Sequence, residues 1–475
     1  MRPFSHSRIP FLLMFGVIFG LSLNFTILRS VRNTLAVVDL SAGSHMIPFF
    51  ELFGALPAAI LTTWVLTKLM NRFSLRRVFS ITLMGFLTFF LLFACLIYPF
   101  FIEWQKKALD NALFSPSLVK GCGTGFSMLF YCLAELWKPA LINILFWGLI
   151  NNHVTVGDAK NLYAFLLLGA SFGALLAGPI LKICNSESSW TLLHLSSRQW
   201  THAFMLIIFV ILLVGLITAF LYNRLCVQFS QQKKSHTPSS QLSLSLQNSF
   251  QLCMTSKSLL LLSGIVIADY IAYSLGEVIF LDILKKTYPN PCDYCTFLGN
   301  LSSWSSALTI IFALIAPMIL RKYRWMVGAL VLPLFLLVIE GLFFIFLRAK
   351  HLTFSFFGWS DLRWIRAVIL LGSVQFSVCR ALKYTFFDAS KELAFVFLPR
   401  EQKVQGKLVI DGICARLGRA GSSGISLLLI HICGGVLASS LLSGGIVIGI
   451  VCGWIWATQK LGFKLEDVTE GTTHA

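Results

Sequence analysis

The sequence predicts an all-α integral membrane protein of about twelve transmembrane helices arranged as two six-helix halves. Three observations carry this. Of 475 residues, 57% are hydrophobic and only 12% are charged, against roughly 25% charged in an ordinary soluble domain. Apolar runs of about 20 residues, the length that crosses a bilayer as a helix, recur from one end of the chain to the other. The most polar stretch, QFSQQKKSHTPSSQLSLSLQNS, falls near the middle and reads as a cytoplasmic linker between the halves. Helices are expected rather than a barrel. Each span must satisfy its backbone polar groups internally, and the alternating segments of about ten residues that mark a membrane barrel are absent.

Windows of about 19 residues place the spans near 10–29, 47–70, 78–101, 126–153, 161–183, 203–225, 259–284, 297–320, 325–348, 364–388, 408–433 and 434–461. The first follows Arg2 and Arg8 as a signal peptide would. No small-residue cleavage site succeeds it, however, and the apolar stretch continues through 24–28, so an uncleaved span is expected. Lys68, Arg72, Arg76 and Arg77 lie between spans 2 and 3, and Arg321, Lys322 and Arg324 between spans 8 and 9. Short basic loops face the cytoplasm. With an even number of spans both termini share that side, in agreement with Lys460 and Lys464, whereas Arg348, Lys350, Arg363 and Arg366 argue against it. The expected organisation is a first half at 1–225, a linker at 226–257, a second half at 258–461 and a cytoplasmic tail at 462–475. Lys160 and Lys407 each precede a span rich in small residues, which fits parallel six-plus-six repeats about an axis normal to the membrane.

Several function classes are disfavoured. The formal net charge is +18, but Lys and Arg are scattered among apolar runs with no basic tail, so no nucleic-acid partner is expected. The twelve cysteines are dispersed and mostly apolar in setting, where a thiol behaves as a small hydrophobe. Cys292 and Cys295 form one CxxC without the further ligands a zinc site needs, so neither metal nor cofactor is expected. HExxH, GxSxG and GxxxxGK[ST] are all missing, which speaks against an enzyme and against ATP hydrolysis on this chain.

The informative residues are charges where lipid should be. A charge near mid-bilayer costs at least about 2.5 to 3.5 kcal/mol, so such groups face a cavity or one another. Span 1 ends in NFTILRSVRNTL with Arg29 and Arg32; span 2 holds Glu51; span 4 holds Glu135 and Lys138. Span 7 carries Asp269, Glu277 and Asp282, span 10 Arg380 and Lys383, and span 11 Asp411, Arg416 and Arg419. Glu135 and Lys138 are three apart, so they could neutralise each other on one helix face. Alternatively Glu135 and Glu277 mark a central pathway, with Pro139 freeing a backbone carbonyl beside it. Basic residues outnumber buried carboxylates, and guanidinium forks suit phosphate oxygens, which points to an organic phosphate as cargo. The competing reading is that Arg29 and Arg380 reach lipid headgroups from span ends. FDASKELAFVFLPREQKVQGK is expected on the cytoplasmic surface as a gate, and GRAGSSG permits close helix packing or a phosphate cradle.

The stretches AELW with LFWG, GDAKNLYA, YPNPCDY with FLGN, KYTFFDASKELAF, and VQGK with ARLGRAG occur in an order that resembles the ATP/ADP translocase family of plastids and obligate intracellular bacteria such as chlamydiae and rickettsiae. The resemblance covers about Phe11 to the last span. It implies a major-facilitator-like fold in a bacterial inner membrane, and nucleotide transport by exchange of ATP and ADP, with NAD/ADP exchange or proton-coupled import of other nucleotides as alternatives. A non-transporting membrane sensor is the alternative of another class. The partners implied are a nucleotide and membrane lipid. Matched motif by motif, the family's two essential glutamates fall on Glu135 and Glu277 and its lysines on Arg32 and Lys407. Substrate contact is further expected of Arg29, Glu51, Lys138, Lys383 and Arg416. Departures are LRSVRN in place of LRDTKD, PFFELFG in place of PFLKLWG, and, after Glu277, Phe280 and Leu281 in place of the family's tryptophan and lysine, with Asp282 following. They imply a less positive vestibule and a substrate carrying less negative charge than ATP.

Overall fold

In the computed structural model of this chain, described at residues 9–40, 43–110, 116–151, 156–186, 200–232, 246–348, 360–396, 406–407 and 409–473, the apolar runs become helices. Arg2, Arg8, Lys350, the side chain of Lys160, the linker residues 233–245 and the segment 397–405 lie outside the described residues. Twelve described helices are long and apolar enough to cross a membrane. They are α1 Pro10–Asp39, α2 Met46–Arg72, α3 Leu75–Ala108, α4 Gly121–Asn151, α5 Phe165–Cys184, α6 Trp200–Phe229, α7 Lys257–Thr287, α8 Pro291–Leu320, α9 Trp325–Arg348, α10 Asp361–Phe395, α11 Val409–Cys433 and α12 Ser440–Lys464. Each falls on an expected span.

Helices run past charge wherever the charge finds a partner, which a hydropathy window cannot register. The first span therefore continues ten residues beyond its expected end at 29, to Asp39, and Arg29 and Arg32 lie inside α1 rather than at its tip. Likewise α10 runs to Phe395, so the first part of FDASKELAFVF extends a span and is not a separate surface helix. There Lys391 Nζ lies 2.6 Å from Asp411 Oδ1 and 3.8 Å from Asp388 Oδ1. A helix over Leu246–Thr255 occupies the second part of the linker, and the helix containing α6 runs to Gln232.

Contacts group the chain into two units: Met1–Met46 with Phe53–Thr237 and Lys285–Ala307, and Ile47–Leu52 with Pro238–Leu284 and Leu308–Ala475. The short stretch bearing Glu51 thus packs with the second unit, and the first part of α8 with the first. Corresponding helices cross closely on glycine in each. A Cβ on Gly173 of α5 would sit 2.3 Å from the Phe19 carbonyl oxygen of α1, and one on Gly418 of α11 would sit 2.8 Å from Tyr270 Cβ of α7. Small residues allow such approach where apolar burial gives no drive between helices in lipid. The first unit also fills with aromatic rings, Phe79 stacked on Tyr222 at 3.5 Å and Phe93 against Phe130 at 5.0 Å. Trp137 Nε1 donates to the Leu21 carbonyl at 3.0 Å, which ties α4 to α1.

Among the described residues six π-helical segments interrupt these spans: Leu35–Asp39, Phe50–Ala55, Phe93–Ile97, Lys138–Phe146, Lys383–Phe387 and Val409–Cys414. All but Phe93–Ile97 carry a charged residue, respectively Asp39, Glu51, Lys138, Lys383 and Asp411. Wide turns of this type gather at functional positions. In α4 the cause is local: Pro139 has no amide to donate and its ring would crowd the carbonyl four residues back, so the helix widens from Lys138 onward.

Candidate functional site

In the first unit the guanidinium of Arg32 on α1 pairs with the Glu135 carboxylate on α4, both largely withdrawn from solvent at 6% and 17% exposure. Arg32 Cζ also lies 4.4 Å from the centre of the Tyr131 ring. Tyr131 precedes Glu135 by four residues, one helical turn, so α4 offers an aromatic face and a carboxylate to the same cation. Half-buried Arg29 stands three residues before Arg32 on α1. Lys138 opens the π-helical turn and lies 5.6 Å from the Phe25 ring, so α1 also supplies it with an aromatic face.

The second unit repeats this grammar with different residues. Tyr273 and Glu277, again four apart on α7, line a pocket with Phe280, Gly372, Gln375 and Phe376. Arg380 on α10 donates from Nη2 to Tyr273 Oη at 3.2 Å and stacks 4.0 Å from the Phe376 ring centre. One turn along, the Lys383 ammonium pairs with Asp269, which is 2% exposed, and stands 3.9 Å from the Tyr270 ring. Arg419 of α11 approaches the same ring at 5.3 Å. Glu51 accepts from Ser423 Oγ at 3.0 Å. Arg416 is exposed.

Of the residues expected at a site, Arg32 and Glu135 are brought into direct contact, and Lys383 contacts Asp269. Lys407 stands elsewhere, paired with Glu392 with both about half exposed and its ammonium 6.0 Å from the Phe395 ring. A pair that wet contributes at most about 1 kcal/mol to stability. Reasoning from sequence passed over Tyr131 and Tyr273, whose signal is the repeated five-residue pattern YCLAE at 131–135 and YSLGE at 273–277. It also passed over Glu340, an isolated carboxylate in the apolar run of α9. Cys292 and Cys295 are both buried, and among the described residues no cluster of His, Cys, Asp and Glu could hold a metal.

Cations stacked on tyrosine rings beside carboxylates suit a ligand with both phosphate and a planar base, because guanidinium binds phosphate oxygens and aromatic faces accept base stacking. The comparisons with known proteins agree with that chemistry. The profile of a family described as TLC ATP/ADP transporter matches residues 5–465. The chain is 30% identical to ADP,ATP carrier protein 1 of Chlamydia trachomatis over 94% of this chain and 87% of that protein. It is 29% identical to ADP,ATP carrier protein 4 of Rickettsia conorii over 96% of this chain and 91% of that protein. Among solved structures, a bacterial homologue of iron transporter ferroportin in the inward-facing state aligns over 95% of this chain and 99% of its own, with TM-score 0.58 and 15% identity. At that identity the likeness bears on fold alone, and the fold is that of major-facilitator-type transporters.

Proposed function

We propose, from the premise that this chain belongs to the TLC ATP/ADP transporter family, that it moves ATP, ADP or a related nucleotide across a bacterial inner membrane by exchange and alternating access. It is a multi-pass membrane transporter and not an enzyme. The observation that carries the reading is the pairing of each Tyr-x-Leu-x-Glu turn with arginine: Arg32 on Tyr131 and Glu135, and Arg380 on Tyr273 one turn from Glu277. Arg32, with Arg29, meets phosphate; Glu135 and Glu277 hold and release the cations as the substrate arrives; Lys138, Lys383 and Arg416 add positive charge along the path. Lys407 engages the substrate after leaving Glu392, an exchange of partners that its exposed pair makes cheap. The basic turns after α2 and α8 support a cytoplasmic position for both termini.

The test is uptake of radiolabelled ATP, ADP, GTP, UTP and NAD by intact bacterial cells expressing the chain, with Glu135→Ala and Lys407→Ala beside it. One label should enter and both variants should abolish its entry. Label that binds without exchanging would mark a sensor and sink the transporter reading.

A substrate less anionic than ATP, such as NAD or a nucleotide with fewer phosphates, is favoured by two contacts. Asp269 already neutralises Lys383, and Glu51, a carboxylate facing Ser423, stands where the resemblance of PFFELFG to PFLKLWG implies a lysine. Glu51→Lys should therefore raise uptake of ATP relative to less charged nucleotides, by about tenfold if the added charge contributes 1.4 kcal/mol. An unchanged preference would remove this reading.

A further inference from the structure

Glu340 on α9 is 0% exposed, and none of the interactions already described uses it. Its Oε1 accepts from Gln375 Nε2 of α10 at 2.6 Å, while its Oε2 and Gln375 Oε1 are both buried with no hydrogen-bond partner. An ionised carboxylate in such a place requires a cation or several donors, since removing it from water costs several kcal/mol. Among the described residues it forms no ion pair. Lys383 is held by Asp269, and Arg380 by Tyr273 and Phe376. From α7 the nearest ionisable group in sequence to the contact is Glu277, adjacent to Gly276; from α10 it is the Cys379 thiol. The ionisable groups of α12, Cys452, Lys460 and Lys464, are all exposed, and α9 brings no other than Arg348 at its end.

A proton resolves the geometry. Bound to Oε2, it turns that oxygen from acceptor to donor, and Gln375 Oε1 is an unpartnered acceptor on the amide that already holds Oε1 of the acid. Acid and amide then exchange two antiparallel hydrogen bonds, and no buried oxygen remains unsatisfied. Gly276 makes room for the pair, because a Cβ there would stand 2.3 Å from Gln375 Nε2 and 2.9 Å from Glu340 Oε1. Gln375 also lines the small pocket that holds Glu277, so one side chain touches both the buried acid and that pocket.

We propose that Glu340 and Gln375 form a proton-binding site adjoining the Glu277 pocket, and that proton uptake and release there is coupled to nucleotide passage. In the coupled step the O–H bond forms on Oε2 with a proton given up by water that the transport cycle admits to the Glu277 pocket as it opens, and it breaks when the proton returns to that water. The coupling, though not the proton site, rests on the transport reading.

Two measurements on the purified full-length protein test it. First, infrared spectra of wild type and Glu340→Gln are compared: the carbonyl band of a protonated carboxylic acid should be present in wild type and missing from the variant, whose amide pair keeps both hydrogen bonds and the fold. Second, in reconstituted vesicles an imposed gradient of one pH unit should shift the steady-state distribution of labelled nucleotide by up to about tenfold per coupled proton. Glu340→Gln should abolish the shift, and Glu340→Asp should retain part of it, each normalised to its own exchange without a gradient. Identical acid bands in wild type and variant overturn the proton site. A gradient response that is absent from wild type, or unchanged in Glu340→Gln, overturns the coupling. Vesicles that exchange no label at all count against nucleotide transport, and the infrared comparison then still decides the proton site.

Discussion

Arg32→Ala is expected to abolish nucleotide uptake and to destabilise the first unit by about 3 to 5 kcal/mol, the range seen when one partner is removed from a buried ion pair. The loss is large because Glu135, 17% exposed, is left without the guanidinium that α1 supplies, and the Tyr131 face loses its cation in the same step. Stability and function separate in the swapped double variant Arg32→Glu with Glu135→Arg. The pair re-forms with its polarity reversed, so thermal stability in detergent should largely return. Uptake should not, because a carboxylate on α1 repels the phosphate that a guanidinium is placed to meet. Restored uptake in the swap would show that the pair only holds α1 to α4, and the assignment of Arg32 to substrate would be lost.

The second unit offers the complementary case, since its corresponding pair runs the other way: acid on α7, base on α10. Lys383→Ala strands Asp269, which is 2% exposed, and a cost of about 3 to 5 kcal/mol follows for the same reason. Replacing both, Asp269→Leu with Lys383→Met, removes the charges together. Such replacements are often neutral or stabilising by about 1 to 4 kcal/mol, so the double variant should be at least as stable as wild type while transporting more slowly than wild type. The check is denaturation midpoint and label uptake measured on the same preparations. Wild-type uptake from the double variant would assign the pair to packing alone.

How much of this was legible in the sequence differs from element to element. The spans were, because twenty apolar residues in a row are a local property and a bilayer leaves such a segment no alternative to a helix. The turns between α2 and α3 and between α8 and α9 were too, from Pro-free basic breaks in the apolar pattern. Where α1 and α10 end was not: a hydropathy window stops at charge, and Arg32 and Lys391 are held in helix by carboxylates on other helices. Glu135 and Glu277 stood out as charges in apolar runs, but their tyrosines did not, since a tyrosine in a membrane helix is ordinary until something sits on its ring.

Sequence alone determined which groups this protein has to accommodate: twelve apolar helices, a handful of carboxylates and cations inside them, and the motif order that places it among nucleotide carriers. Tertiary structure decided the partners. Glu135 and Lys138 could neutralise each other by spacing, yet the guanidinium seated on Glu135 comes from α1, and Glu340 meets an amide rather than a cation. The physical reason is that helical periodicity assigns each side chain to a face, whereas the free energy of a buried charge depends on what the neighbouring helix presents to that face, which no local pattern encodes.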